Sequence, residues 1–157
     1  TADWNDSSGQ VSDPNLVVSP INARAKLSAL MNGAHSMLQI EDEEMYDSAS
    51  EDVMIAAAGR GVNVEVVLPA PSSGSSNSSD VSRLLAGGVH VRYLGNPYVH
   101  AKLILADGTL GFVGSENFSS TSLDENREVG LLIADSATLG TLTSTFQTDW
   151  SNASAAS

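Results

Sequence analysis

The chain has 157 residues, of which 41% are hydrophobic, enough for one domain with a single buried core. Nineteen acidic residues against seven basic ones give a net charge of −12, which repels polyanions and makes a nucleic acid an unfavourable substrate. There is no cysteine, so disulfides, thiolate nucleophiles and zinc–thiolate sites are excluded.

No apolar run approaches the ~20 residues needed to cross a bilayer, and the N-terminal stretch Thr1 to Asp6 is polar and acidic, unlike a signal peptide. We therefore expect a soluble chain without a transmembrane segment. The sequence does not determine the compartment. Its acidic composition favours an extracytoplasmic or secreted bacterial or archaeal protein.

Apolar periodicity, capping residues and glycine stops divide the chain into helices and strands. Ser19 and Pro20 suit the first turn of a helix, and Ser48 with Glu51 has the spacing of a capping box. The predicted helices are Ser19 to about Ala34, Ser48 to about Ala58, Asp80 to Ala86, and one capped by Asp135 that runs to about Trp150. The predicted strands are Met37 to Ile40, Val62 to Leu68, His90 to Leu94, Val99 to Ala106, Leu110 to Gly114 and Glu128 to Ala134.

Helices alternate with strands early and strands crowd late, which predicts an α/β fold, an α/β/α sandwich with a central mixed β-sheet flanked by helices. The Pro-, Ser- and Gly-rich stretch Pro69 to Ser79 is expected to be a mobile surface loop or a lip beside a site. Residues 17–150 form the predicted domain and residues 151–157 a polar tail. An Asp-Trp pair near each end of the chain predicts that residues 1–16 are the tail of a preceding repeat or a linker.

One unbroken stretch carries the chemistry of the chain. It contains the pattern H-x-K-x4-D-x6-G-S-x-N, formed by His100, Lys102, Asp107, Gly114, Ser115 and Asn117. Because side chains alternate along a strand, His100 and Lys102 are predicted to share one face. Ala101 and Leu103 are then predicted to turn into the core.

The second half of the pattern is predicted to return to the first through a hairpin. Asp107 and Gly108 are typical of the turn between the two strands. Ser115 and Asn117 then follow the end of the returning strand and are expected to lie beside His100. Asp107 is too far along the strand to join them, so we interpret it as shaping the hairpin or pairing with a neighbouring cation.

These residue types suit the cleavage of a phosphodiester without a metal. His100 can attack phosphorus through a ring nitrogen, and Lys102 can neutralise the phosphate charge. Ser115 and Asn117 offer donors to the phosphate oxygens. A nucleophilic imidazole needs a carboxylate that selects its tautomer, and Glu128 at the start of the following strand is the candidate.

The motif from His100 to Asn117 resembles the signature of the phospholipase D superfamily. The resemblance implies a metal-independent hydrolase or transphosphatidylase of lipid metabolism, cardiolipin synthase-like, that acts through a phosphohistidine intermediate. It also implies that a second motif protonates the leaving group. Since this chain has one motif, the second would come from an N-terminal half or an identical subunit, and the chain is expected to be a C-terminal half.

Two other hypotheses remain open from the sequence. The short length favours a single-motif endonuclease that works as a homodimer, although the charge disfavours it, and a non-catalytic structural half is the third possibility. His35 and His90 are interpreted as packing or surface residues. The acidic run from Glu41 to Glu44 ends the first strand, where families of this shape often place a site-facing residue, but most of the run is interpreted as a solvated turn. No cofactor or metal site is expected, because no histidine accompanies the acidic run and calcium-loop spacing is absent.

Overall fold

The fold is seen in a computed structural model that describes residues 10–71 and 78–156. Its centre is an eight-stranded mixed sheet with the order β1-β7-β6-β5-β2-β3-β4-β8. The strands are β1 (Leu16–Val18), β2 (Met37–Glu41), β3 (Asn63–Pro69), β4 (His90–Leu94), β5 (Leu103–Ala106), β6 (Leu110–Gly114), β7 (Val129–Ile133) and β8 (Ser154–Ala155). The α-helices are α1 (Ala23–Asn32), α2 (Ser48–Gly59), α3 (Ser78–Ala86) and α4 (Ser136–Asn152), and a π-helical turn spans Thr121–Glu125.

The sheet has a parallel centre, and the pairs toward both of its edges are antiparallel. β2, β3 and β4 are parallel, whereas β2 pairs with β5 in the antiparallel sense. Residues of α1, α2 and α3 join the larger buried cluster, and α4 packs against the smaller cluster on the opposite face. The predicted α/β/α sandwich with a mixed sheet is therefore confirmed. Within the described ranges, no helix has both the length and the apolar character that a membrane span requires.

Two helix starts differ from the sequence prediction. Residues 19–22 form a turn in which the amides of Ile21 and Asn22 both donate to the Val18 carbonyl, so α1 begins at Ala23. The cap of α2 is Asp47, whose Oδ2 accepts from the Ser50 amide at 2.9 Å. The predicted capping box at Ser48 was wrong, because the carboxylate one residue earlier makes that bond.

Strand content also differs at three places. β5 begins at Leu103 rather than Val99, which leaves the first two motif residues in the irregular segment before it. β1 was not predicted, and it pairs with β7 at the edge of the sheet. Residues 151–155, predicted to be part of a polar tail, extend α4 and add β8 beside β4. Most of the loop predicted from Pro69 to Ser79 lies outside the described residues.

The glycine of the motif is needed for the close approach of two strands. Gly114 of β6 lies opposite Gly130 of β7, beside the buried ring of Phe112. A Cβ atom on Gly130 would come 2.3 Å from Phe112 Cε2 and 2.9 Å from the Cα of Gly114. The two glycines thus allow β7 to pack closely against β6 at the end of that strand, next to Ser115.

We predict that Gly130→Ala destabilises the protein by about 1–3 kcal/mol, because the new methyl group must displace a buried ring or separate the two strands. The measurement is the free energy of unfolding in urea. Gly140→Ala is the matched control: it lies in α4, where an added Cβ meets nothing within 4 Å, and should stabilise by about 0.5–1 kcal/mol. Equal effects of the two substitutions would contradict the close approach.

Candidate active site

The site lies where the end of β2 meets the start of β5. Glu41, the last residue of β2, pairs with Leu103, the first residue of β5. The residues that follow β2 therefore face those that precede β5. Nε2 of His100 lies 3.0 Å from Oε2 of Glu43, and Nζ of Lys102 lies 3.1 Å from the same oxygen.

His100 and Lys102 contact the same oxygen but differ in their exposure to solvent. The Lys102 side chain is only 5% exposed and also donates to the His100 carbonyl, whereas the His100 side chain is 72% exposed. The prediction that they share one side is supported by their common contact. Ala101, however, is exposed rather than turned into the core, because this segment lies outside the sheet and lacks strand alternation.

The acidic run after β2 is largely buried, so its interpretation as a solvated turn was wrong. Glu41 and Asp42 are 4% and 1% exposed. Burial raises the pKa of Asp42 well above its ordinary value. Hydrogen bonds from the Glu44 and Phe118 amides and the charge of Lys102 lower this pKa, but burial outweighs them. Burial, together with a hydrogen bond and repulsion from Asp149 of α4, raises the pKa of Glu41 to about 7.

Ser115 and Glu128 contact each other. Oγ of Ser115 donates to Oε2 of Glu128 at 2.5 Å and accepts from the Val129 amide at 3.1 Å. The other Glu128 oxygen accepts from Ser122 and Asn126. Among the described residues no hydrogen bond joins Glu128 to His100, so in this structure Glu128 holds Ser115 and the carboxylate that contacts the His100 ring is Glu43.

Asn117 is anchored through its backbone. Its amide donates to Oγ of Ser122 at 2.8 Å, and its carbonyl accepts from the Ser119 amide. Oδ1 of Asn117 is buried and accepts no hydrogen bond from the part of the chain that the structure describes. Glu116 between the two motif residues is also buried, and its Oε2 accepts from the Ser115 amide at 3.1 Å.

Asp107 lies apart from the other motif residues, at the far end of β5. That four-residue strand is about 13 Å long at the usual rise per residue. Its carboxylate accepts the backbone amides of His35, Ser36 and Met37 at 2.8–2.9 Å, and so fixes the chain at the start of β2. Burial would raise its pKa, but these bonds outweigh it and hold the pKa far below its ordinary value. The hairpin-shaping interpretation fits this placement.

Sequence reasoning missed Glu43 and Tyr98. The Tyr98 hydroxyl donates to Oε1 of Glu43 at 3.0 Å, so Tyr98, His100 and Lys102 all contact one carboxylate. Tyr98 could have been found, because it extends the every-second-residue spacing of the motif by one step. For Glu43 the signal was its acidic run at the end of the first strand, but the contact with His100 and Lys102 depends on the pairing of two strands that are far apart in the sequence.

No metal-binding cluster of three or more histidine and acidic side chains is present among residues 10–71 and 78–156. The two other histidines lie at the surface, as predicted. Nδ1 of His35 contacts the Gly33 carbonyl at 2.6 Å, and His90 is exposed at the start of β4.

Two solved bacterial structures share this fold. The phospholipase D family member Nuc from Salmonella typhimurium superposes with a TM-score of 0.84 at 21% identity, over 90% of this chain and 95% of that chain. NucT from Helicobacter pylori superposes with a TM-score of 0.76 at 21% identity, over 90% of this chain and 97% of that chain. The fold and the motif together are those of the phospholipase D class.

The sequence comparisons identify the family within that class. Residues 27–150 match the family model described as the cardiolipin synthase, PLD-like domain, and the chain belongs to this family. Cardiolipin synthase A of Cronobacter sakazakii and that of Salmonella arizonae are each 36% identical over 97 residues, which is 57% of this chain. The match spans only 20% of the length of those relatives.

The pKa of Glu41 predicts a specific pH dependence of stability. Between pH 4.5, the ordinary pKa of a glutamate, and about 7, Glu41 is protonated in the folded state and ionised in the unfolded state. The contribution of this protonation to stability is therefore fully present below pH 4.5 and is lost as the pH rises through about 7. Glu41→Gln keeps the neutral form at all pH values. We expect the variant to exceed the wild type by about 1–3 kcal/mol at pH 8 and to match it near pH 4.5.

Urea unfolding at both pH values measures this difference. Glu125→Gln, at an exposed position, is the control for the loss of one negative charge. A gain of equal size at both pH values, or the same gain in the control, would show that the carboxyl of Glu41 is not the titrating group.

Asp107→Asn is expected to lower stability by about 1–3 kcal/mol, because an amide cannot accept all the hydrogen bonds that the carboxylate receives. The urea midpoint gives the effect. Asp135→Asn serves as the control, since asparagine caps a helix as well as aspartate does and should cause little change. A wild-type midpoint for Asp107→Asn would contradict the anchoring role of this residue.

Proposed function

We propose that this chain forms one half of a metal-independent phosphodiesterase or phosphatidyltransferase in which His100 becomes a phosphohistidine. Nε2 of His100 attacks phosphorus, Lys102 neutralises the developing negative charge, and the alkoxide leaves. Water or an alcohol then releases the phosphoryl group. Belonging to the cardiolipin synthase, PLD-like domain family supports a phospholipid as the substrate.

The observation that carries the proposal is the convergence of His100 and Lys102 on one carboxylate oxygen. Nε2 and Nζ each lie within about 3 Å of Oε2 of Glu43. A phosphate oxygen bound at the same point would be paired with the ammonium group, and phosphorus would lie beside the ring nitrogen. The buried Lys102 is suited to this role, because a charge acts more strongly where water is excluded.

The remaining motif residues are proposed to shape the site around these two. Asn117 is proposed to donate to the phosphate, since its segment is anchored by Ser122. Ser115 is proposed to act with Glu128 as a pair, because the 2.5 Å bond between them ties the end of β6 to the start of β7. Asp107 is proposed to support the hairpin at a distance.

A second motif is proposed to come from another half or from an identical subunit. The chain contains one histidine in an H-x-K-x4-D context, and the leaving alkoxide needs a proton from a second group. Three exposed apolar side chains, those of Val113, Val129 and Leu131, lie on β6 and β7 next to Ser115 and Glu128. This apolar surface beside the site favours coverage by the second motif-bearing unit.

A homodimeric single-motif nuclease is the second candidate. It is favoured by the match in size, since this chain covers 95% of the Nuc chain, and disfavoured by the net charge of −12. Cleavage of DNA that persists in excess chelator would support the nuclease. Failure to retard DNA at low salt would count against it.

The decisive test uses bis(p-nitrophenyl) phosphate in excess chelator. p-Nitrophenolate is a good leaving group that departs without a proton donor, so one motif suffices to form the covalent intermediate. After quenching in base, where phosphohistidine is stable, mass spectrometry should find the aryl phosphoryl group on the peptide that contains His100. Lys102→Ala should slow its formation about 10²–10³-fold.

His100→Ala should abolish the modified peptide, and His90→Ala is the matched control at an exposed histidine of the same domain. Persistence of nitrophenolate release in His100→Ala, or a requirement for an added metal ion, would refute the proposed chemistry. Light scattering on the same samples shows whether the active species is a monomer or a dimer.

A further inference from the structure

The site holds a carboxylate where the proposed reaction needs a phosphate. Three groups of the site contact the Glu43 carboxylate: Nε2 of His100 at 3.0 Å, Nζ of Lys102 at 3.1 Å and the hydroxyl of Tyr98 at 3.0 Å. We call these three groups the three-donor cluster. The first two act on Oε2 and the third on Oε1, so both carboxylate oxygens are bound.

Glu43 is an anion in this setting. Burial would raise its pKa, but hydrogen bonds from Lys102 and Tyr98 and the charge of Lys102 outweigh burial and lower it. Its side chain is 23% exposed, so it is partly shielded from water without being sealed in. A phosphodiester monoanion carries the same charge and also offers two acceptor oxygens. The three-donor cluster therefore matches a phosphodiester as well as it matches Glu43.

We infer that Glu43 is an internal stand-in for the substrate's phosphoryl group, that substrate must displace it, and that Tyr98 then donates to a non-bridging phosphate oxygen. The inference rests on the proposed function, because it assigns the substrate to the same three-donor cluster. While Glu43 contacts Nε2 of His100, that nitrogen donates its proton to Oε2 and has no free lone pair for phosphorus. The proton leaves with the displaced carboxylate, so that Nε2 is free to attack. Displacement of the carboxylate is thus part of substrate binding.

The backbone around Glu43 allows this displacement without unfolding. On one side, the Asp42 amide donates to the Val67 carbonyl at 3.2 Å. On the other, Met45 bridges to Phe118. Because both flanks are held to neighbouring strands and loops, we assign the displacement to the Glu43 side chain and not to its backbone.

The Glu43 carboxylate also provides the counter-charge for Lys102 in the protein without substrate. Lys102 is 6% exposed, and a buried ammonium group without a counter-charge is strongly destabilising. Glu43 supplies that charge until substrate brings its own. Removing the carboxylate should therefore have two opposite effects: weaker folding of the free protein and tighter binding of an anion.

The test measures binding of dimethyl phosphate, a phosphodiester monoanion that is not turned over, by NMR titration of the histidine ring signals. Glu43→Gln should bind it about tenfold more tightly than the wild type, because a competing anion is gone. Adding Tyr98→Phe to Glu43→Gln should weaken binding again by about tenfold. Glu43→Ala should behave like Glu43→Gln and covers the case in which the glutamine variant does not fold.

Glu44→Gln is the matched control, with the same change of net charge one residue away. An equal gain in Glu44→Gln would show an effect of overall charge, and weaker binding in Glu43→Gln would show that Glu43 positions His100 instead; either result overturns the inference. Because no turnover is measured, this failure is distinct from that of the proposed function. Phosphohistidine could form on His100 without any gain in Glu43→Gln, and the gain could appear without phosphohistidine.

Discussion

The site depends on the antiparallel pairing of β2 with β5. Its register sets Glu41 opposite Leu103, so the residues after one strand meet the residues before the other. That meeting brings Glu43 to His100 and Lys102. A shift of the register by one residue would turn every side chain of β5 to the opposite face of the sheet and separate these groups. The buried strands on both sides hold the register in place.

Much of the molecule follows from local sequence signals. Strands β3, β4 and β6 and the Asp135 cap of α4 were predicted closely, because their apolar patterns, glycine stops and capping residue agree with the final packing. The helix starts were less predictable. Asp47 and Ser48 both suit a cap, and only the folded contact with Ser50 distinguishes them.

Long-range pairing explains what the sequence could not supply. β1 is three residues long, and nothing local marks it as the partner of β7. Glu41 and Asp42 were predicted to face solvent, yet both are buried, and Asp149 of α4 lies against Glu41. The motif predicted the region of the site and the convergence of His100 with Lys102. It did not predict the contact with Glu43, which follows β2 and lies 59 residues before Lys102 in the sequence.

The pairings that close the sheet also set how the chain can acquire its fold. β1 pairs with β7 through contacts such as Leu16 with Leu131, and β2 pairs with β5 across a shorter but still long stretch of sequence. β1 can find its partner only after the segment containing β7 has left the ribosome. Such non-local topology slows folding and leaves early strands unpaired during synthesis. Residues 16–18 therefore remain unpaired until most of the domain has been synthesised, so the sheet is completed late in folding.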